Sequence, residues 1–202
     1  MENKAAQKNN LKIGIFDSGL GGLTVLRYLL DYFPNNEFVY LGDLGNLPYG
    51  NKSKNNIIDY SIKCAQFLET KKVDSIVIAC NTASSYSYEI LKKNIKTPIF
   101  DVITPCIQKI NTLKIKKIGI LGTEKTIESN IYAESILETA KDIKIYNKAC
   151  PLFVPIVEEG LEHTQIAQMT IDYYLKDIQG KIDTLVLGCT HYPILWKDLN
   201  KY

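Results

Sequence analysis

The stretch that decides the fold is VDSIVIAC, residues 73–80, a short apolar run that ends in cysteine. It recurs 109 residues later as IDTLVLGC, residues 182–189, with aspartate and cysteine at matching positions. A second pair, KIGIF at residues 12–16 and KIGIL at residues 117–121, recurs with an offset of 105. Two buried strands can look alike by chance, but the matching aspartate and cysteine favour duplication. We therefore interpret the chain as two similar halves.

Short apolar runs alternate with longer segments of helical period along the chain. Strands are predicted at residues 12–16, 38–41, 73–79, 98–103, 117–121, 143–146 and 183–187. Helices are predicted at residues 22–33, 54–70, 84–93, 125–140 and 164–178. This alternation is typical of parallel sheets covered by helices, with right-handed crossovers.

We therefore expect an α/β fold of two similar lobes. Each lobe is predicted to be a mostly parallel sheet flanked by helices, and the active site is expected in the cleft between them. The predicted divisions are a polar N-terminal tail over residues 1–10, an N-terminal lobe over residues 11–99 and a C-terminal lobe over residues 100–202.

Composition excludes several classes of protein. The chain has 202 residues, of which 46% are hydrophobic and 23% charged, which is ordinary for a globular protein and argues against disorder. A net charge of +2 does not suit a dedicated nucleic-acid binder, and the apolar runs are too short to span a membrane. Arg27 is the only arginine, so a bound anion must be held mainly by amides and hydroxyls.

The cysteines indicate a reducing compartment. There are five, an odd number, and the polar N-terminus does not resemble a secretory signal. We therefore predict reduced thiols and a cytoplasmic protein. Three of the cysteines, Cys64, Cys106 and Cys150, are interpreted as packing residues.

Cys80 and Cys189 are different because each ends a predicted strand and is followed by polar residues. If the lobes face each other, the two thiols flank one cleft. One thiolate can then remove a proton from a carbon while the other thiol protonates the opposite face, which inverts a stereocentre. Zinc is the weaker interpretation, because the spacings of Cys80, Cys189, His163 and His191 match no common zinc pattern.

The turn at residues 17–22, Glu158 and His191 are further candidates for binding or catalysis. The turn DSGLGG, residues 17–22, follows the first strand and opens a helix, so its amides are predicted to attract a carboxylate or phosphate. Asp17 is either a ligand of the substrate or a helix N-cap. Glu158 is either a second functional carboxylate or a surface residue, and His191 is either a proton carrier or a structural histidine.

Together these residues resemble glutamate racemases, which are cofactor-independent two-cysteine enzymes of the aspartate/glutamate racemase superfamily. The matching stretches run in the family's order along the chain. They are residues 13–25 (IGIFDSGLGGLTV), 42–43 (GD), 47–50 (LPYG), 79–84 (ACNTAS), 121–123 with Thr126 (LGT..T), 150–160 (CPLFVPIVEEG) and 187–193 (LGCTHYP). The resemblance implies an isomerase that supplies D-glutamate for peptidoglycan.

The resemblance also implies roles for individual residues. Cys80 and Cys189 would be the acid/base pair, with Asp17 assisting Cys80, and Glu158 and His191 assisting Cys189. The substrate would contact Asp17, Ser18, Tyr49, Gly50, Asn81, Thr82, Thr123, Thr190 and His191. No pyridoxal phosphate or metal is implied, and a homodimer is expected.

Two departures from the family leave alternatives open. Asp101 stands where the family usually has glycine, which could alter the hinge or the preference for substrate charge. The chain also ends 13 residues after Cys189, whereas family members continue and return to the N-terminal lobe. We therefore expect either a truncated chain or a shortened relative with an incomplete first lobe. The alternatives are an impaired relative that acts through contact with DNA gyrase, or a racemase for another amino acid such as aspartate.

Overall fold

The structure is a computed structural model that describes residues 10–202. It contains two parallel sheets. The first sheet has the order β2-β1-β3-β4, and the second has the order β6-β5-β7. The strands of the first sheet are β1 (Lys12–Asp17), β2 (Glu37–Gly42), β3 (Ser75–Ile78) and β4 (Ile99–Asp101). The strands of the second sheet are β5 (Lys117–Gly122), β6 (Lys144–Ala149) and β7 (Thr184–Gly188).

Helices cover both sheets. Those that pack on the first sheet are α1 (Leu23–Tyr32), α2 (Lys54–Thr70) and α3 (Asn81–Asn94), with a short 3-10 helix at Tyr49–Asn51. The remainder are α4 (Ile103–Asn111), α5 (Glu124–Glu128), α6 (Ile131–Thr139), α7 (Phe153–Glu158), α8 (Gln165–Leu175), a 3-10 helix at Tyr192–Leu195 and α9 (Trp196–Leu199). The predicted α/β fold of two parallel lobes is confirmed. Within residues 10–202, no helix is long and apolar enough to cross a membrane.

The internal repeat extends to the register of the strands. Ile13 of β1 pairs with Ser75 of β3, and Ile118 of β5 pairs with Thr184 of β7, so corresponding residues pair in both sheets. The repeated aspartates also make corresponding contacts. Lys12 donates its backbone N–H to the Asp74 carboxylate at 2.8 Å, and Lys117 donates its own to Asp183 at 3.2 Å. Each aspartate therefore pins the start of the central strand beside it.

Apolar packing stays within each lobe. On the first sheet, α2 and α3 cover the face of Phe16, Ile76 and Ile78, while α1 lies on the face of Ile13 and Ile15. On the second sheet, α7 and α8 pack on one face, and α4 and α6 pack on the other. None of the apolar clusters formed by the described residues spans both lobes. Polar contacts therefore dominate where the lobes meet.

The structure differs from the prediction over residues 125–140 and at α4. The helix predicted over residues 125–140 was wrong as one helix, because Asn130 adopts a left-handed conformation (φ 57°) between α5 and α6. Asparagine tolerates this conformation better than most residues. Helix α4 was not predicted, because Thr104-Pro105 resembles the end of a strand; a proline in the first turn of a helix, however, removes no helical hydrogen bond.

The junction between the lobes differs slightly from its predicted position. The boundary drawn between residues 99 and 100 falls inside β4, since Phe100 and Asp101 still pair with β3. Residues 11–101 therefore form the first lobe and residues 102–202 the second, with α4 on the second sheet. Residues 1–9 of the predicted polar tail lie outside the described residues.

The carboxylate of Asp101 caps α4. It accepts the backbone N–H groups of Ile103 at 3.0 Å and of Thr104 at 3.1 Å, and its side chain is buried. Asp101 does not line the cavity between the cysteines. The departure from the family pattern at this position thus supplies a helix cap beside the junction of the lobes.

We expect Asp101→Ala to lower the free energy of unfolding by about 1 kcal/mol, because α4 then loses its cap. The matched variant, Asp101→Asn, keeps a capping oxygen and should retain most of the stability. Urea denaturation followed by circular dichroism measures both values. Equal stability of the alanine variant and the native protein would contradict this role.

Candidate active site

The two repeated cysteines meet at a single cavity between the lobes. Cys80 directly follows the loop after β3, and Cys189 directly follows β7, so both lie at carboxyl ends of parallel strands. Both side chains are buried, and both line the same cavity. This is the edge at which open parallel sheets bind ligands. The cavity is walled by Ser18, Gly19, Leu47, Pro48, Tyr49, Gly50, Cys80, Asn81, Thr82, Thr123, Val154, Glu158, Cys189, Thr190 and His191.

The thiol of Cys80 lies at the N-terminus of α3. Its Sγ atom accepts the backbone N–H of Ala83 at 3.4 Å, and the thiol lies 3.7 Å from the hydroxyl of Ser18, to which it donates. Burial and, secondarily, the charge of Asp17 raise the pKa of Cys80 to about 12. Hydrogen bonds that Ala83 and Ser18 can donate to the ionised sulfur oppose this increase, because they favour the thiolate.

Cys189 has different neighbours. Its Sγ atom lies 3.8 Å from Nδ1 of His191, and the other ring nitrogen, Nε2, lies 3.1 Å from the carboxylate of Glu158. Burial raises the pKa of the Cys189 thiol above its ordinary value, and the backbone N–H of His191 opposes the increase. A thiol, an imidazole and a carboxylate therefore form a chain that can pass a proton and stabilise the resulting charge.

Asp17 joins the two lobes from beneath the cavity. Its carboxylate is fully buried, accepts the backbone N–H of Gly19 at 2.9 Å and accepts the hydroxyl of Thr190 from the other lobe at 3.3 Å. Burial raises the pKa of Asp17 above its ordinary value, while the Gly19 hydrogen bond and the charge of His191 oppose the increase. The carboxylate therefore acts at the lobe interface as well as near Cys80.

Neighbouring side chains lie very close to the glycines of the turn at residues 17–22. A Cβ atom added to Gly21 would lie 2.4 Å from the Thr190 hydroxyl, and one added to Gly22 would lie 2.5 Å from Cβ of Asp17. The amide of Gly19 is already bonded to Asp17. The expectation that this turn presents free amides to an anion therefore fails for Gly19. Gly21 lets the second lobe approach the turn, and Gly22 leaves room for Asp17.

Threonine hydroxyls form a second contact between the lobes. Thr82 of the first lobe lies 2.8 Å from Thr123 and 3.1 Å from Thr126 of the second, and those two lie 3.0 Å apart. Beside them, a Cβ atom added to Gly50 would lie 2.8 Å from Cβ of Thr123. Only glycine fits at this position without displacing the neighbouring lobe.

Comparison with known proteins shows which family the chain belongs to. The sequence model of the Asp/Glu/Hydantoin racemase family matches residues 32–202. The chain belongs to the Asp/Glu/Hydantoin racemase family. The chain is 48% identical to the glutamate racemase of Aquifex aeolicus over 193 residues, which cover 95% of this chain and 75% of that one.

Solved structures of racemases from this family have the same fold. The glutamate racemase of Francisella tularensis, in complex with D-glutamate, matches with a TM-score of 0.89 and 38% identity over 95% of this chain and 73% of that one. The glutamate racemase of Campylobacter jejuni matches with a TM-score of 0.90 and 39% identity, over 95% of this chain and 77% of that one. The resemblance to racemases drawn from the motifs is confirmed.

The structure brings the predicted racemase site residues together. All of them except Asp17 line the cavity, and Asp17 lies next to it. The hydroxyl of Tyr49 donates to Asp43 at 2.6 Å, so its proton is not available to a ligand. Sequence reasoning missed the apolar wall residues Leu47, Pro48 and Val154. These residues carry no reactive group, and only their place inside quoted motifs could have indicated them.

The remaining cysteines and the second histidine lie elsewhere. Cys64 and Cys150 are buried and Cys106 is half-buried, each packed in an apolar cluster, and all five cysteines are free thiols. His163 lies 2.8 Å from the buried carboxylate of Asp198. His163 therefore belongs to a contact between the start of α8 and α9, outside the cavity.

We expect Asp17→Asn to raise the thermal stability near neutral pH. A raised pKa in the folded protein means that the ionised carboxylate opposes folding, an effect present above the folded pKa and lost as the pH falls towards the ordinary value of 3.8. Asparagine still accepts the Gly19 hydrogen bond without the charge. The gain should be about 1 kcal/mol, or about 2–4 °C in Tm.

Thermal unfolding between pH 4 and pH 8 measures this gain. The difference in Tm between Asp17→Asn and the native protein should narrow as the pH falls, because Asp17 becomes protonated in both folded and unfolded states. A native protein that is the more stable of the two at pH 7 would contradict the buried ionised carboxylate.

Proposed function

We propose that the protein interconverts L-glutamate and D-glutamate without a cofactor. The observation that carries the proposal is the pair of buried thiols, Cys80 and Cys189, which end corresponding strands of two repeated sheets and face one cavity. The relatives named glutamate racemase, one of them in complex with D-glutamate, support glutamate as the substrate.

The reaction needs one thiolate and one thiol on opposite faces of the substrate Cα. The thiolate removes the Cα proton, and the opposite thiol donates its own proton to the other face, so the sulfurs exchange protonation states as the centre inverts. The raised pKa values of both thiols mean that both are protonated before substrate binds. The catalytic base therefore has to lose a proton to a neighbour first.

The neighbours of each thiol supply this step in different ways. Next to Cys189, His191 can take the thiol proton, and Glu158 then stabilises the imidazolium from 3.1 Å. Next to Cys80, the Asp17 carboxylate can take the thiol proton, and the Ala83 amide and the Ser18 hydroxyl then stabilise the thiolate. The two half-reactions thus use different supporting groups around equivalent sulfurs.

Neutral hydrogen-bond donors hold the substrate carboxylates. Arg27 lies on α1 and does not line the cavity, and it is the only arginine of the chain. The cavity instead presents side-chain hydroxyls and an amide from both lobes. These are Ser18, Asn81, Thr82 and Thr123, whereas the Thr190 hydroxyl donates to Asp17. A carboxylate held by several such donors can be bound without a cationic side chain.

The D-glutamate produced would supply peptidoglycan synthesis in the cytoplasm. Free thiols suit this compartment, because both catalytic sulfurs have to stay reduced to carry protons. This role in peptidoglycan synthesis depends on the proposed product, so the test of glutamate racemization below also tests it.

In deuterium oxide, the native protein should incorporate deuterium at Cα of glutamate from either enantiomer. Cys80→Ser and Cys189→Ser should each lower racemization by a factor of about 10²–10⁴, because each removes one acid/base group. Exchange that remains should be confined to one enantiomer, and to opposite enantiomers in the two variants. Proton NMR of the Cα signal and polarimetry measure both quantities.

Cys106→Ser is the matched control, because Cys106 is half-buried and does not line the cavity; its racemization rate should match that of the native protein. The same exchange assay with aspartate and other amino acids tests the choice of substrate. A folded native protein that exchanges no Cα proton of glutamate would refute the proposal. Faster exchange of aspartate than of glutamate would mean that aspartate is the preferred substrate.

A further inference from the structure

One tyrosine of the second lobe reaches a cavity residue of the first. The hydroxyl of Tyr132, on α6, donates to Oδ1 of Asn81 at 2.6 Å, and both residues are buried. Asn81 directly follows Cys80 and lines the cavity. A side chain that belongs to no recognised motif is thus bonded to the neighbour of the first thiol.

The ring of the same tyrosine touches the neighbour of the second thiol. A Cβ atom added to Gly188, which precedes Cys189, would lie 3.4 Å from Cε2 of Tyr132 and 2.7 Å from the carbonyl oxygen of Leu121. The glycine therefore leaves room for the tyrosine ring beside β7. Tyr132 contacts the residue after Cys80 through its hydroxyl and the residue before Cys189 through its ring.

In the structure, the hydrogen bond from Tyr132 occupies the oxygen of the Asn81 amide and leaves its NH₂ end for the cavity. An asparagine side chain carries one acceptor oxygen and one donor NH₂ group, and the two can exchange places by rotation. Since the oxygen is bonded to Tyr132, the NH₂ group is left as the donor. Among the described residues, this NH₂ group has no hydrogen-bond partner, so it remains available to a carboxylate.

Burial keeps the tyrosine in the protonated form that this contact requires. The environment raises the pKa of Tyr132 well above its ordinary value, chiefly through burial and further through the charges of Cys106, Asp101 and Cys189. The phenol therefore remains a donor over the whole range of pH in which the protein is assayed.

We propose that Tyr132 is a positioning residue for the substrate: it holds the Asn81 amide with its NH₂ group towards the cavity. The kinetic part of this inference rests on the proposed glutamate racemization. The contact also spans the lobes, so a residue of the second lobe positions a cavity residue of the first.

Tyr132→Phe keeps the ring against Gly188 and removes only the hydroxyl. The Asn81 oxygen then loses its buried partner, and the amide can rotate to present an acceptor to the substrate carboxylate. We expect KM for glutamate to rise by about tenfold or more with a smaller change in kcat, because a group that binds a non-reacting carboxylate contributes to binding in both ground and transition states.

Tyr86→Phe is the matched control. The Tyr86 hydroxyl also crosses between the lobes, donating to the carbonyl oxygen of Lys125 at 3.0 Å, and Lys125 does not line the cavity. This variant should leave KM unchanged. An equal rise in KM in Tyr86→Phe would mean that any lost contact between the lobes has this effect, and would overturn a specific role for Tyr132.

A double-mutant cycle tests whether Tyr132 acts through Asn81. If it does, Tyr132→Phe should raise KM in the native background but produce no further rise in an Asn81→Ala background. A rise of the same size in both backgrounds would overturn the proposal, because it would place the effect of Tyr132 elsewhere.

A measurement on the amide itself separates this inference from the proposed function. In ¹⁵N-labelled native protein, the side-chain NH₂ signal of Asn81, assigned by its loss in Asn81→Ala, should be as rigid as the backbone, and in Tyr132→Phe it should become mobile. A mobile Asn81 amide in the native protein overturns the positioning role without any variant. If the native protein fails to exchange glutamate, the proposed function is lost, but the amide signal still decides whether Tyr132 orients Asn81.

Discussion

The hydrogen bond between Thr190 and the buried carboxylate of Asp17 joins two lobes whose apolar cores are separate. Because hydrophobic packing stops inside each lobe, the relative position of the lobes depends on polar side chains. The hydroxyls of Thr82 and Thr123, and those of Tyr132 and Tyr86, make further contacts of the same kind. Several of these side chains also line the cavity, so closing the lobes and building the site are the same event.

This arrangement has an energetic consequence. A buried carboxylate with a raised pKa opposes folding, and buried thiols with raised pKa values resist ionisation. The protein thus maintains charged or chargeable groups in an environment that disfavours charge. Shifted pKa values of this kind are common at functional sites, where they serve the chemistry and lower the stability of the folded protein. Here it is concentrated between the lobes, where contacts can open without disrupting either core.

Much of the fold could be predicted from the sequence, because the repeated strands are short, apolar and largely buried. Even the helix over residues 54–70 was predicted at its observed bounds. Prediction failed where local patterns mislead. Asn130 is left-handed and interrupts a segment whose apolar period predicts one continuous helix. Pro105 lies in the first turn of α4, although a proline in the sequence usually indicates that no helix is present. Both errors concern single backbone conformations that periodicity does not encode.

The sequence by itself determined that two equivalent cysteines end equivalent strands, since apolar periodicity and the repeat require nothing beyond the order of residues. It also indicated which polar residues accompany them. Only the tertiary structure decided how those residues pair across the lobes: Asp17 with Thr190, and Tyr132 with Asn81. The physical reason is that hydrogen bonds between residues distant in the chain depend on atomic distances and directions, which leave no periodic trace in the sequence.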